Sequence, residues 1–477
     1  MRNLTLMTDL YELTMMNGYS VLGTGDKTAV FDLFFRHAGQ ISYAVSAGLE
    51  QAIEYINNLH FDEDDIEYLR KNTDFSEKFL DELRSFRFTG DIFAVPEGTL
   101  VFPDEPILIV RAPLSQAQLI EPALLNIINH QTLIATKASK VKMSAGNASV
   151  SEFGLRRAQG PDAGIYGARA SVIGGCSGTS NVLTGKLFGV PIKGTMAHSW
   201  IMSFPTELEA FRKFAEIYPD NTLLLVDTYD TLRSGVPNAI KVFDELRAKG
   251  KKPVGIRLDS GDLAYLSKQA RKMLDEAGHK DAIIFASCDL DEYVISSLNE
   301  QGAKIDAYGV GTRLITSENM PSLGGVYKLS ELTENGVREP KIKISDTHEK
   351  ITNPGFKTLY RVYDEDGKAF ADLIALEYER FDPTMPLTLT HPTMRWKSTT
   401  LEKYTMRKLL VPVFENGKQV YRSPELSESA EYCKREKASF WDEYLRNVNP
   451  EIYKVDLSDA LYELKQRLIN ERTGGRQ

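Results

Sequence analysis

The chain has 477 residues, of which 42% are hydrophobic and 26% charged, proportions typical of a soluble globular protein with more than one domain. Its 57 basic and 66 acidic residues give a net charge of −9, which disfavours nucleic acid or an anionic membrane surface as a partner. Three widely separated cysteines form neither a disulfide framework nor a zinc spacing, so we expect a cytoplasmic protein. We expect no secretion signal and no membrane-spanning segment, because no apolar run approaches the length of about 20 residues that a bilayer requires.

Short helices and strands separated by glycine and proline predict an α+β region in the N-terminal part of the chain. Its predicted elements are a helix beginning at Thr8 or Asp9 and ending near residue 19, a strand over 28–36, a second helix capped by Ser46, acidic amphipathic segments over 62–86, β-like runs at 91–95 and 107–111, and a long helix over 122–145.

After Gly146 the pattern changes to short apolar strands that alternate with helices. The predicted strands are 150–153, 192–196, 223–227, 254–259, 283–287 and 305–311. This repeat predicts parallel strands with crossover helices, and the number of strands favours a closed or nearly closed, TIM-like α/β barrel over an open sheet. The repeat is lost after about Lys341, where β-like runs and a helical C-terminus over 427–472 follow.

Polar side chains cluster at the ends of the predicted strands, which in a barrel lie on one face. The Asp259-Ser260-Gly261-Asp262 sequence opens a helix, where carboxylates suit Mg²⁺ or sugar hydroxyls and backbone amides suit an anion. Helix capping is the plainer explanation of either aspartate. Arg257, at the end of an apolar strand, predicts an anionic partner.

Gly309, Gly311 and Thr312 end another predicted strand and could surround a phosphate with backbone amides, although a glycine turn is the alternative. Arg156 and Arg157 close the first strand of the repeat. If their backbone is extended, the two side chains point to opposite faces, so one reaches a ligand and the other serves a second role.

His198 lies among small and polar residues just past a predicted strand, which favours a nucleophile or an acid–base group over a packed or surface histidine. The other histidines show no metal-ligand spacing, so neither a zinc nor an iron site is predicted. They are His37, His60, His130, His279, His348 and His391.

Motifs along nearly the whole chain carry a resemblance to a known family. They are TDLYELTMMNGY, FFR, EFGLRR, GTMAHS, LVDTYD, RLDSGD, GVGT and LGGVYKL. In these motifs the chain resembles the nicotinate phosphoribosyltransferases, which belong to the type II phosphoribosyltransferases. The resemblance implies an irregular α/β barrel over 141–345, packed against an α+β domain built from residues 1–140 and, in part, from the C-terminal segment 346–477.

The resemblance also implies a reaction. Nicotinate would displace diphosphate from 5-phosphoribosyl 1-diphosphate and form nicotinate mononucleotide, while ATP is hydrolysed through a phosphohistidine. Mg²⁺ as cofactor, ATP as co-substrate and a homodimer with shared active sites are implied with it. By motif match, His198 and Asp259 are catalytic; Tyr11, Phe153, Arg156, Thr195 and Arg257 bind nicotinate; Asp227, Asp289, Gly309, Gly311 and Thr312 bind phosphoribosyl diphosphate; and Asp259 and Asp262 hold the metal.

Two other interpretations stay open at this point. The first is nicotinamide or quinolinate phosphoribosyl transfer on the same fold, and the second is a non-catalytic metabolite-binding barrel. Ser180 stands where nicotinamide-using relatives align an aspartate, which favours a carboxylate substrate. The presence of His198, Arg257 and Asp259 disfavours a non-catalytic protein. Arg313, directly after the glycine loop, receives no role from the sequence.

Overall fold

The computed structural model describes residues 3–36, 42–347 and 350–474, so His37 and His348 lie outside the described residues. The chain divides into two compact units. The first consists of Met1–Leu133 and Ser322–Gln477, and the second consists of Ile134–Pro321. Within the described ranges, no helix combines the length and apolarity that crossing a membrane requires.

The first unit contains most of the antiparallel strands. Its N-terminal elements are α1 (Leu10–Leu22), β1 (Thr28–Phe35), β2 (Ala44–Val45), α2 (Leu49–Asn57), α3 (Glu63–Asn72), α4 (Glu77–Arg84), β3 (Asp91–Ala94), β4 (Leu100–Val101), β5 (Leu108–Pro113) and α5 (Leu114–Leu119). The long helix α6 (Glu121–Ala145) continues from the first unit into the second.

The second unit alternates strands and helices. Its elements are β6 (Ser149–Glu152), α7 (Pro161–Gly174), α8 (Val182–Phe188), α9 (His198–Met202), α10 (Glu207–Ile217), β7 (Leu223–Leu225), α11 (Val236–Ala248), β8 (Gly255–Leu258), α12 (Leu263–Glu276), β9 (Ile283–Cys288), α13 (Glu292–Glu300), β10 (Ala307–Val310) and α14 (Thr312–Ile315).

The chain then returns to the first unit. Its C-terminal elements are β11 (Gly325–Glu334), β12 (Val337–Pro340), β13 (Lys357–Tyr363), β14 (Ala369–Leu376), β15 (Leu387–Thr390), β16 (Ser398–Leu401), β17 (Thr405–Lys408), β18 (Val411–Glu415), β19 (Lys418–Gln419), α15 (Leu426–Ala438), α16 (Asp442–Leu445), β20 (Val455–Leu457) and α17 (Asp459–Thr473).

Two larger sheets organise the first unit. A seven-stranded sheet has the order β12-β11-β1-β5-β3-β18-β19, and a four-stranded sheet has the order β17-β13-β14-β20. Strand β1 lies between β5 and β11 and pairs antiparallel with both. Both halves of the sequence therefore contribute strands to one sheet, which explains why the βα pattern is lost outside the middle of the chain.

A five-stranded parallel sheet with the order β6-β10-β9-β8-β7 forms the centre of the second unit. Its strands are short and mostly buried, as expected when helices cover a parallel sheet. The helix α12 shows how the sequence covers it: Asp262 caps the helix through the Tyr265 amide, and the buried residues recur at helical spacing along one face. The protein is a mixed α/β structure with one parallel sheet and several antiparallel ones.

Three local predictions are wrong. The predicted strand over 192–196 forms only an isolated bridge at Ile192, because that residue is 58% exposed and the run has no buried face to pack. The cap of α2 is Gly48 in a left-handed conformation, because the Ser46 backbone pairs with residues 98 and 99 instead. The C-terminal helical region is interrupted by β20, which pairs with β14.

Candidate active site

The carboxyl ends of the parallel strands carry most of the predicted substrate-binding residues. Asp227 follows β7, Arg257 lies within β8, Gly309 lies within β10, and Phe153 follows β6. Because neighbouring parallel strands end at the same edge of a sheet, the loops that follow them meet there. This edge is where a ligand site is expected in an α/β sheet.

Arg257 is the centre of the polar cluster at this edge. Its Nε donates to Ser287 Oγ at 2.8 Å, its Nη2 donates to Asp259 Oδ1 at 2.8 Å, and its Nη1 donates to the Met196 carbonyl at 3.3 Å. The guanidinium carbon lies 5.9 Å from the centre of the Phe153 ring. One arginine thus joins three parts of the chain, and because its side chain is 15% exposed it can still be reached by a ligand.

Asp259 is held in its charged form by its neighbours. Burial acts to raise the pKa of its carboxyl group, but the hydrogen bond from Ser287 and the Arg257 guanidinium outweigh burial and lower that pKa below its usual range. Both donors contact Oδ1. The second oxygen, Oδ2, lies 3.7 Å from His198 Nε2.

His198 is the first residue of the short helix α9, and both of its ring nitrogens have a partner. Nδ1 lies 3.1 Å from the Thr228 hydroxyl, and Nε2 lies 3.7 Å from Asp259 Oδ2. The imidazole is partly exposed. The Thr228 contact is within hydrogen-bond distance and orients the ring, whereas the Asp259 contact is longer and electrostatic.

Asp227 is the group at this edge that best fits a metal ion. Its Oδ2 accepts from the Asp259 amide at 2.9 Å and from Ser260 Oγ at 2.6 Å, whereas Oδ1 is buried with no hydrogen-bond partner. Within residues 3–36, 42–347 and 350–474, no three metal-ligating side chains lie together. Mg²⁺ is commonly held by one or two carboxylates, water and substrate phosphates, so a lone unpaired carboxylate oxygen fits it.

Gly309 and Gly311 make room for an aromatic wall. A Cβ atom on Gly309 would lie 2.7 Å from Phe153 Cδ2, and one on Gly311 would lie 3.2 Å from the Phe153 carbonyl oxygen. The Phe153 ring stacks on Phe285 with a centroid distance of 5.6 Å. These glycines let the loop before Thr312 run close to Phe153, which is a packing reason for them beside any phosphate contact.

Three predicted site residues lie outside the hydrogen bonds of this cluster. Asp262 caps α12 and is exposed, which is the plainer explanation that the sequence left open. Asp289 is exposed beyond the end of β9. Arg156 lies with Arg157 in a short 3₁₀ turn, so the extended backbone assumed for the pair is wrong; both side chains are exposed.

The other two residues predicted to bind nicotinate, Thr195 and Tyr11, lie in different surroundings. Thr195 Oγ1 is buried and has no hydrogen-bond partner, so it has an unmet polar atom to offer a ligand. Tyr11 belongs to α1 in the first unit, where burial and the adjacent Glu12 raise its pKa. Its contact with nicotinate stays a prediction.

The structure gives a role to three residues that received none from the sequence. Thr228 orients His198, Ser287 bonds both Arg257 and Asp259, and Glu152 accepts from Thr179 Oγ1 at 2.5 Å beneath the turn that follows Phe153. Each one stands inside or beside a motif already noted. Spacing alone could not have selected them, because their partners lie 27 to 30 residues away.

Sequence models of one family match the chain in three consecutive parts. The nicotinate phosphoribosyltransferase N-terminal domain matches residues 6–129, the family's main model matches 148–370, and its C-terminal domain matches 356–465. Nicotinate phosphoribosyltransferase of Bacillus subtilis is 47% identical over 471 residues, covering 98% of this chain and 96% of that protein.

Solved structures agree. Human nicotinic acid phosphoribosyltransferase aligns with a TM-score of 0.86 at 30% identity, covering 97% of this chain and 99% of that one. Nicotinate-nucleotide pyrophosphorylase of Pyrococcus furiosus aligns with a TM-score of 0.70 at 23% identity, over 92% of this chain and 96% of that one, and shows a shared fold alone.

The fold and the site thus define a member of the phosphoribosyltransferase class, with an arginine, two aspartates and a histidine at the carboxyl edge of a parallel sheet. Within that class, the chain belongs to the nicotinate phosphoribosyltransferase family.

Proposed function

We propose that this chain catalyses the reaction of nicotinate with 5-phosphoribosyl 1-diphosphate, ATP and water to give nicotinate mononucleotide, diphosphate, ADP and phosphate. The chain would supply the pyridine nucleotide precursor of NAD from nicotinate, and would be classed as a ligase. Full-length family membership supports the substrates. The observation that carries the mechanism is the His198–Asp259–Arg257 cluster, in which the histidine sits beside a charged, partly exposed carboxylate.

Nicotinate would lie against Phe153 with its carboxylate towards Arg257. The longest of the three Arg257 hydrogen bonds described above is the one from Nη1 to the Met196 carbonyl, at 3.3 Å. Exchanging that weak contact for a carboxylate would give a charge-assisted bond. Thr195, with its unpartnered hydroxyl, would complete the recognition.

The transfer itself needs positioning more than proton movement. The pyridine nitrogen is already a nucleophile, so no general base is required. Breaking the bond from ribose C1 to oxygen leaves positive charge on the sugar and negative charge on the departing diphosphate. Asp259 would face the sugar, and backbone amides of the Gly309–Thr312 loop would contact phosphate. Asp289 would bind phosphoribosyl diphosphate as well, as the family resemblance implies.

Mg²⁺ would be held by Asp227 Oδ1 and Asp259 together with substrate oxygens, and it would supply positive charge to the diphosphate. Asp262 is a weaker ligand candidate, because its carboxylate already accepts the Tyr265 amide at 2.9 Å. Asp227 would keep its second oxygen for the Asp259 amide and Ser260.

His198 would accept the phosphoryl group of ATP. Thr228 hydrogen-bonds one side of its ring and the Asp259 carboxylate lies 3.7 Å from the other, so the imidazole is oriented before ATP binds. A phosphate on His198 adds nearly two negative charges beside the substrate site, which changes the affinities for substrate and product. By linkage, those ligands must in turn change the affinity for ATP.

Two larger features belong to the same proposal. The five parallel strands would form part of an irregular barrel; isolated parallel bridges from Glu152 to Thr179 and from Thr179 to Ile192 extend the sheet beyond β6 and support this. The enzyme would be a homodimer with shared active sites, with Tyr11 contributing to nicotinate binding. The cytoplasmic location stays a prediction from the sequence.

The test is incubation with γ-labelled ATP and Mg²⁺, with nicotinate mononucleotide assayed in parallel. We expect acid-labile, base-stable label on the parent chain and none on His198→Ala. His279→Gln is the matched control, since His279 also pairs with an aspartate, at 2.9 Å from Asp244, within the same unit. It should keep the label if circular dichroism shows that it folds.

Other outcomes separate the parts of the proposal. If mononucleotide forms without label on the protein, the proposed phosphohistidine is refuted, but the transferase reaction remains supported. Neither label nor product would refute the proposed function. Competition among nicotinate, nicotinamide and quinolinate tests the substrate, and preference for either of the other two would overturn the assignment of Arg257 to the nicotinate carboxylate.

A further inference from the structure

Arg313 joins two loops at the carboxyl edge of the parallel sheet. Strands β9 and β10 are parallel neighbours, with Val310 opposite Cys288 at their ends. Arg313 is the second residue of α14, after β10, and its Nη1 donates to Asp291 Oδ2 at 2.7 Å. Asp291 belongs to the loop after β9. The ion pair, here called the Arg313–Asp291 tether, therefore bridges two consecutive βα loops.

The tether is stronger than an ordinary surface ion pair. The Asp291 side chain is 4% exposed, and its other oxygen, Oδ1, accepts from the amides of Tyr293 and Val294 as the cap of α13. Burial acts to raise the Asp291 pKa, but the Val294 amide and Arg313 outweigh it and lower that pKa. Removing the guanidinium would leave this buried carboxylate with its two backbone donors and the electrostatic influence of Lys137 alone.

The loop after β10 is confined from both sides. On one side, Gly309 and Gly311 pack against Phe153, and the Phe153 amide donates to the Val310 carbonyl at 2.8 Å. On the other side, Arg313 bonds Asp291, the residue that caps α13. Thr312 lies between these two restraints and is directly bonded to Arg313 in the chain, so its position depends on the tether.

The loop after β9 is confined in the same way. Cys288 has φ = 146°, a conformation that costs a non-glycine residue free energy and persists only where neighbours enforce it. The Leu290 amide closes this turn on the Cys288 carbonyl at 2.8 Å. Asp289 is therefore presented between a strained residue and the anchored Asp291.

We propose that Arg313 is a positioning residue for phosphoribosyl diphosphate, acting through Asp291 to set the spacing between Thr312 and Asp289. This inference rests on the proposed function, in which those two residues contact that substrate. Arg313 itself touches neither nicotinate nor His198 in this account. Substitution of Arg313 should therefore change KM for phosphoribosyl diphosphate and leave KM for nicotinate unaffected.

The experiment is steady-state kinetics of Arg313→Ala and Arg313→Lys with each substrate varied in turn. Losing a buried charge-assisted bond should raise KM for phosphoribosyl diphosphate about tenfold in Arg313→Ala, with KM for nicotinate within about twofold of the parent. Arg313→Lys should recover part of the loss. Labelling of His198 by ATP should persist in both variants.

Arg247→Ala is the matched control. Arg247 pairs with Asp281 at the same 2.7 Å, but at the segment before β9, the opposite end of that strand. Its two KM values should stay at the parent values. A second control is Asp291→Asn, which keeps an oxygen for the helix cap and removes the charge. Adding Arg313→Ala to it should raise KM little further.

Three results would overturn the inference. An unchanged KM for phosphoribosyl diphosphate in Arg313→Ala would remove the positioning role. A joint change of both KM values with a lower melting temperature would mean a structural role only. A full effect of Arg313→Ala in the Asp291→Asn background would mean direct contact with substrate. If the parent chain forms no nicotinate mononucleotide, the proposed function has failed, which the parent assay reveals before any variant is measured.

Discussion

Arg361 in the first unit and Arg257 in the second are both held by an aspartate, yet their surroundings differ. Arg361 is fully buried and bonds both oxygens of Asp372, at 2.9 and 2.6 Å, as well as Glu436 at 2.8 Å and the Leu100 carbonyl at 2.7 Å. Its guanidinium also lies 4.7 Å from the Phe440 ring centre.

Arg257 has fewer and longer contacts and an open side. It bonds a single oxygen of its aspartate, and its third contact is 3.3 Å long. An ion pair with an aspartate therefore does not by itself distinguish a structural arginine from a ligand-binding one. What distinguishes them is whether the guanidinium can still be reached by a ligand. The same substitution should therefore lower stability at Arg361 and catalytic activity at Arg257.

The largest expected effect is on stability, at Arg361. Lysine cannot serve Asp372, Glu436 and the Leu100 carbonyl together. Tyr453 still donates to Asp372 and Arg407 to Glu436, but Arg361→Lys removes most of the donors of this buried network and should cost about 3 kcal/mol of unfolding free energy. Urea titration measures this. A loss below about 0.5 kcal/mol would show that the buried network rearranges around lysine.

The same substitution at Arg257 should act on catalysis. Arg257→Lys keeps the charge but loses the fork that reaches Ser287 and Asp259 together, so kcat/KM for nicotinate should fall about 100-fold. The urea midpoint should move much less than in Arg361→Lys. Equal losses of stability in the two variants would end the distinction drawn between the arginines.

Ser287→Ala should have an intermediate effect, visible in the pH profile. Because the Asp259 pKa is lowered, its carboxylate stays charged throughout the pH range in which an ordinary aspartate titrates. The charge is lost only as the pH falls through the lowered pKa. Removing the Ser287 hydroxyl takes away one donor to that charged form, so the acid limb of kcat/KM should move to higher pH. Ser260→Ala removes a hydroxyl from Asp227 instead and should leave that midpoint in place.

Thr228→Val gives the smallest expected effect. It preserves shape and removes the hydroxyl beside His198 Nδ1, so phosphorylation by ATP should slow about fivefold through loss of one hydrogen bond. The transfer step without ATP should keep its rate. A slower transfer without ATP would mean that Thr228 acts on the substrates as well as on the histidine.

Much of the second unit was predictable because its order is local. The runs at 223–227, 254–259, 283–287 and 305–311 match strands β7 to β10 to within a few residues, since continuous apolar runs between helical patterns are typical of buried parallel strands. Arg257, Asp259 and His198 were predictable as a group, because polar residues at the ends of parallel strands converge. The run at 192–196 failed because its two apolar residues do not share a buried face.

The first unit was less predictable, because its main sheet pairs β1 with β11 and β3 with β18, and the strands of each pair lie more than 200 residues apart in sequence. No local pattern encodes such pairings. Arg361 gave no sequence signal either, since Asp372 and Glu436 reach it from separate elements.

By itself, the sequence determined the family, the alternation of strands and helices in the middle of the chain, and the residue types at the strand ends, because these depend on motifs and short-range periodicity. Only the tertiary structure decided which oxygen of Asp259 faces His198, that Thr228 and Ser287 orient the cluster, and that Arg313 ties two loops together through Asp291. Those contacts join residues from different loops, and side-chain directions at that range are set by packing.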